Sequence, residues 1–148
     1  MRRIKRLLTL DSNVLIAALK NDERYSEQCF QILSKVPEVY ILSEPSIIYQ
    51  EVCGTLARRA GADVARKARR QLDLMIHPRL LANCTKSFCI SAYPLCSEYG
   101  IYAIDAMYLK VAFDSYAVLV SLDKEGFIDK VRSKTPNVEA YHASEFPY

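Results

Sequence analysis

Residues 8–19 read LTLDSNVLIAAL: an apolar run, an acid, and a second apolar run. Leu7, Leu8, Thr9 and Leu10 are too few to span a membrane and suit a buried core strand. Asp11-Ser12-Asn13 then supplies turn or helix-capping chemistry, and Val14, Leu15, Ile16 and Leu19 begin the apolar stripe of a helix. A strand that hands over to a helix through an acid leaves two meanings for Asp11. It is either a helix cap or a carboxylate placed at a strand end for chemistry.

Outward from this unit the chain keeps alternating. Residues 24–35 read as a helix stopped by Pro37, and EVYILS (38–43) as a short strand. Ser43 before Glu44-Pro45 predicts a helix start with proline in its first turn. Ile47, Ile48, Glu51, Val52, Thr55 and Leu56 follow at helical spacing, Gly61 ends that helix, and Asp63 is placed to cap the next. Val64, Ala68, Leu72 and Met75 form the core stripe of that second helix. Residues 80–85 suit a weak strand, and 88–99 a helix broken or restarted near Pro94. IDAMYLKVAFDS (104–115) is apolar almost all round, as a buried helix is. YAVLVSLD (116–123) predicts a buried strand ending on an acid, KEGFIDKVRSK (124–134) a short helix, and NVEAYHASEF (137–146) a last strand. This alternation argues for an α/β fold, a three-layer α/β/α sandwich with a mainly parallel central sheet. At 148 residues it fits one domain, 1–148, large enough for a full core.

Composition narrows the class. Half the residues are hydrophobic (51%) and a quarter charged (25%), which excludes a disordered chain. No run approaches the length of a transmembrane helix, and the start MRRIKR followed by an apolar run lacks the cleavage site of an export signal. Five cysteines, odd in number and without C-x-x-C spacing, read as reduced, mostly buried thiols of a cytoplasmic protein. The net charge is only +3, but basic residues gather in MRRIKR and in RRAGADVARKARR (58–70). Such clusters suit a nucleic-acid partner or, equally, a solvated helix face. His77 and His142 are too isolated for a metal or base pair.

The acids fall in a pattern. Asp11 and Asp123 each follow a buried strand, and in open parallel sheets the carboxyl ends of the strands form the ligand edge. Asp105 opens the buried helix, and Glu51 lies among apolar neighbours in mid-helix. Each has a structural reading: Asp11 a cap, Asp105 a partner of the helix dipole, Glu51 an exposed face residue, Asp123 a turn former. Together they suggest convergence. Two like charges about 4 Å apart repel by roughly 4 kcal/mol at an effective dielectric near 20, so such a set needs protons or a cation. Oxygen donors without His or Cys favour Mg²⁺ or Mn²⁺, ions that neutralise a phosphodiester, position a water and lower its pKa.

LLTLDSNVLIAAL (7–19), IIYQEVCGTLARR (47–59), YGIYAIDAMYLKVAF (99–113) and AVLVSLDKEGF (117–127) resemble, in order and spacing, the motifs of PIN-domain ribonucleases. The nearest likeness is to the VapC-type toxins of prokaryotic toxin–antitoxin pairs. The resemblance implies an α/β/α sandwich, one or two Mg²⁺ or Mn²⁺ ions, and cleavage of single-stranded RNA. The family's four acids fall on Asp11, Glu51, Asp105 and Asp123, with Asn13 and Ser121 as supporting polar residues. With RNA as substrate, the basic stretch offers Arg58, Arg59, Arg66, Arg69 and Arg70 as candidate phosphate contacts, and a toxin's need to keep its site covered predicts a homodimer and a small antitoxin. The antitoxin is expected to lie over the early helices, near Val14, Ile16, Tyr25, Phe30 and Ile47. The alternatives are an RNA-processing nuclease, as in ribosomal RNA maturation, and a catalytically weak RNA- or protein-binding module. A DxD phosphatase weighs less, because DSNVL lacks the second Asp of that motif.

Overall fold

The computed structural model describes residues 4–135 and 137–147. Arg2 and Arg3 of the basic start lie outside them.

The opening stretch folds as its pattern requires. Strand β1 (Arg6–Leu10) runs into the core and helix α1 (Ser12–Leu19) leaves it, with Asp11 alone between them. Leu8, Leu10, Val14 and Leu15 are fully buried, so the unit is anchored on both sides of the acid. After α2 (Ser26–Leu33), β2 (Tyr40–Leu42) pairs in parallel with β1, in the register Leu8↔Leu42. The chain then crosses over. Strand β5 (Val118–Ser121) lies parallel to β1 on its other edge, Leu10↔Val120, and β6 (Ala140–His142) pairs in parallel beyond it. The order β2-β1-β5-β6 puts the reversal of winding between β1 and β5, where an open α/β sheet forms its binding crevice. Helices layer this sheet as an α/β/α sandwich. Helix α7 (Ala103–Ser115) packs on β1 and β5, its Ala106, Tyr108, Leu109, Val111 and Ala112 all buried.

Several elements differ from the sequence expectation. Glu44-Pro45 does not start a helix: it forms a two-residue strand, β3, paired with β4 (Leu81–Ala82), and α3 begins at Ile47 (Ile47–Ala60). Asp63 does not cap α4 (Ala62–Met75). Gly61, at φ +100°, closes α3 and opens α4, and Asp63 pairs with Arg66 inside the first turn. The segment near Pro94, by contrast, breaks where expected, into α5 (Lys86–Ala92), capped by the Thr85 side chain, and α6 (Pro94–Tyr99), ended by Gly100 at φ +68°. The last strand stops at His142, whose ring accepts the Ser144 N–H and turns the chain away. All five thiols are free, but only Cys29 is buried; Cys53, Cys84 and Cys96 are half-buried and Cys89 exposed. No helix among the described residues is long and apolar enough to cross a membrane.

Candidate active site

Asp11 is still held as part of the sheet: its N–H donates to the Val120 carbonyl at 2.9 Å. Its side chain makes no cap bond to α1. Instead Oδ2 accepts the Ser121 hydroxyl at 2.7 Å, which decides the opening question against a capping role. Ser121 Oγ also accepts the Asp123 N–H at 3.0 Å and the Asn13 side-chain amide at 3.3 Å, and Asn13 Oδ1 accepts the Leu122 N–H at 3.1 Å. One donor and two acceptor positions exhaust a hydroxyl, so Ser121 is fully used. The polar knot joins the ends of β1 and β5 and fixes Asp11 relative to Asp123.

Asp123 opens a single π-helical turn, Lys124–Ile128, that leads into α8 (Asp129–Lys134). Its Oδ1 accepts the Gly126 N–H at 2.9 Å. A Cβ at Gly126 would stand 2.7 Å from Oδ2 and 2.8 Å from Oδ1, so only glycine leaves room for the carboxylate there. The turn-forming role of Asp123 is therefore real and coexists with its place at the strand end. Asp105 enters from the first turn of α7, and Glu51 from the middle of α3, where Oε1 accepts the Tyr108 hydroxyl at 2.8 Å.

The electrostatics tie these acids together. Burial pushes the Asp11 carboxyl from 3.8 up to about 7, Asp105 and Glu51 push it further, and the Ser121 bond opposes them. Asp105 rises to about 6, through burial first and then Asp123 and Glu51, with Lys130 opposing. The acids face one another closely enough to repel, yet no three His, Cys, Asp or Glu side chains among the described residues already close into a metal cage. The donor chemistry still fits a hard divalent ion: oxygen donors only, with Lys130 the one cation among the described residues acting on them.

Two residues beside the site lie outside the pattern of acids. Glu44 is wholly buried; Oε1 accepts the Leu10 N–H at 2.6 Å, and Oε2 has no hydrogen-bond partner. Strand β2 ends at Leu42, so the Glu44 side chain supplies the acceptor for the Leu10 amide just before Asp11. Burial, then Asp11, holds its carboxyl well above the usual carboxylate range. Tyr108, also fully buried, stands with Lys110 after Asp105 where members of the family often carry other residues, a departure that bears on the pocket wall or on partner contacts. Glu44, an acid beside a proline, looks like ordinary punctuation.

The arginines are not gathered at the acids. They lie exposed on the end of α3 and along α4, where Arg59 pairs with Glu23 at 3.3 Å, Arg69 with Asp73 at 3.1 Å, and Arg66 with Asp63. Of the apolar side chains expected under a partner, Val14 is core, and Ile16, Tyr25 and Ile47 are partly buried against it. Phe30 is exposed, at 57%.

A family model described as PIN domain matches residues 8–133. No curated protein sequence matches the chain. Among solved structures, the chain is similar to Mycobacterium tuberculosis VapC20, described as a sarcin–ricin loop cleaving toxin. That similarity has a TM-score of 0.66 at 13% identity, over 89% of this chain and 98% of that one. It is also similar to a chain of VapBC2 from Rickettsia felis, bound to a DNA fragment from its promoter. There the TM-score is 0.62 at 11% identity, over 92% and 98% of the two chains. A toxin–antitoxin complex from Klebsiella pneumoniae gives 0.62 at 20% identity, over 90% and 95%. At these identities the structural likeness is one of fold.

Proposed function

Because the chain belongs to the PIN-domain family, we propose that it is a metal-dependent endoribonuclease that hydrolyses single-stranded RNA, acting as the toxin of a toxin–antitoxin pair in the cytoplasm. The observation that carries this reading is the Asp11 carboxyl: buried at the crevice of a parallel sheet and raised to about 7, partly by Asp105 and Glu51. A structural acid is normally paired with a cation; this one faces other acids, an arrangement suited to receiving one.

In this reading Asp11, Glu51, Asp105 and Asp123 hold Mg²⁺ or Mn²⁺. Bound there, such an ion neutralises the phosphodiester and lowers the pKa of an attacking water. The chain does the rest. Ser121 and Asn13 lock the Asp11 carboxylate against the end of β5, and the Gly126 amide holds that of Asp123. Glu51 or Asp105 orients the water. Lys130, bonded to the Gly100 carbonyl at 2.7 Å, places a positive charge near Asp105 at the rim. Arg58, Arg59, Arg66, Arg69 and Arg70 offer phosphate contacts to RNA outside the pocket.

The toxin assignment draws on the named likenesses, which include a toxin and a toxin–antitoxin complex. A homodimer bound by a short antitoxin that inserts an Arg or Lys among the acids would block both metal and RNA. Purified protein should cut single-stranded RNA with Mg²⁺ or Mn²⁺ and stop with EDTA, and Asp11→Asn should fold but not cut. Cutting that survives EDTA or Asp11→Asn refutes the metal mechanism. One observation favours the binding-module alternative, namely that the acids do not already close into a cage. RNA binding without metal-dependent cleavage would select it.

A further inference from the structure

Helix α7 brings two functional groups to the pocket from one face. Asp105 lies in its first turn and Tyr108 three residues on, a spacing that stacks side chains along a helix. The Tyr108 ring is wholly enclosed, and its hydroxyl ends at Glu51 Oε1, 2.8 Å away on α3. Glu51 itself is only half-buried and has three rotatable side-chain bonds, so without this contact it can swing out toward water.

We propose that Tyr108 is a positioning residue that holds the Glu51 carboxylate in its metal-binding orientation from beneath the pocket. The inference rests on the metal-binding role proposed for Glu51. The phenol engages one oxygen of Glu51, Oε1, and a carboxylate so held keeps its second oxygen as a further acceptor. The phenol's chemistry suits the task better than a lysine or arginine. A cation at that point would orient Glu51 too, but would cancel the negative charge that attracts a divalent ion. A neutral donor orients without neutralising. A phenol is neutral at ordinary pH and donates through its one O–H, here to Glu51 Oε1.

The ordinary alternative is that Tyr108 fills the core and Glu51 satisfies its buried hydroxyl. Tyr108→Phe separates the two, since it keeps the ring and removes only the donor. We would measure Mn²⁺ binding by calorimetry without RNA, together with the rise in Tm that Mn²⁺ gives each protein over its own metal-free form. The expected result is roughly tenfold or more weaker Mn²⁺ binding, the usual consequence of losing a group that orients a ligand, with a smaller Mn²⁺-induced rise in Tm. Tyr99→Phe is the control: its hydroxyl bonds Thr135, and its loss should leave Mn²⁺ affinity unchanged. In a Glu51→Ala background, Tyr108→Phe should cost no further affinity. Parental affinity in Tyr108→Phe, or an undiminished loss in the Glu51→Ala background, overturns the inference. A parent that binds Mn²⁺ but cuts no RNA refutes the nuclease reading and leaves this one to the Mn²⁺ results. A parent that binds no Mn²⁺ overturns both before any variant is compared.

Discussion

Asp11 has to be protonated, or matched by a cation, to lie comfortably where the fold puts it. Its carboxyl titrates near 7 in the folded chain and near 3.8 when free of it. Between about pH 4 and pH 7 the unfolded chain therefore releases a proton that the folded chain keeps. The unfolded state binds fewer protons across that window, so the stability contributed by Asp11 falls as pH rises through it and is level on either side. Asp105, raised to about 6, adds a slope of the same sign over the lower part. The charged groups facing Asp11 are Asp105, Glu51 and Glu44; the Ser121 hydroxyl and the Ser12 N–H ease its charge by hydrogen bonding, while the cation Lys130 acts on Asp105. Asp11→Asn removes the effect while retaining an acceptor for Ser121. Metal-free Asp11→Asn should match the parent near pH 4 and exceed it in stability at pH 8, by at most about 4 kcal/mol. Adding Mn²⁺ should narrow the gap by stabilising the parent. Denaturant melts at the two pH values check this; equal gaps at both would mean that Asp11 is not strained by its surroundings.

At the scale of elements, the turn after β5 matters more than its length suggests. The π-helical turn aims the Gly126 amide at Asp123 and brings the backbone so near that a methyl group there meets both carboxylate oxygens. The carboxylate is the movable partner, so Gly126→Ala should displace it at little cost in stability. We expect Gly126→Ala to keep a Tm within a few degrees of the parent while losing most RNA cleavage and weakening Mn²⁺ binding. Full activity in that variant would remove Asp123 from the metal set. The sequence announces Asp123 through the apolar strand before it, but not this glycine, because a close approach leaves no mark in hydrophobic periodicity. The same limit explains β3. Ser-Glu-Pro resembles a helix start, and the two-residue strand it forms depends on Leu81 and Ala82, almost forty residues away. Strands β1, β2 and β5 were legible because burial on both faces makes them continuously apolar. Asp11 and Asp123 were legible with them, as the polar residues that end such runs. Glu44 was not, and Tyr108 only as a departure within its motif, since what they touch is set by how α3, α7 and β1 meet.

For the molecule as a whole, the proposed dimer follows from the toxin reading and has one exposed aromatic to use on the early helices, Phe30 on α2. Light scattering should give twice the mass of the chain, and Phe30→Glu should return it to a monomer with the fold and Mn²⁺ binding intact. A parent that scatters as a monomer would favour the RNA-processing alternative. The pairing of β1 with β5 reaches further still. Leu8–Leu10 meet Val118–Val120, and the Ser121–Asp11 bond joins residues 110 positions apart. Contacts of such separation form only after the chain between them exists. On a ribosome, β1 emerges before β5 and waits, one edge open, while all the chain between them is made. Through that interval Asp11 has no Ser121 to bond and no Asp123 beside it, so no pocket exists to bind anything. The site is switched on late and all at once, by the synthesis of a strand rather than by the arrival of a ligand, and a chain whose translation stops early never has one.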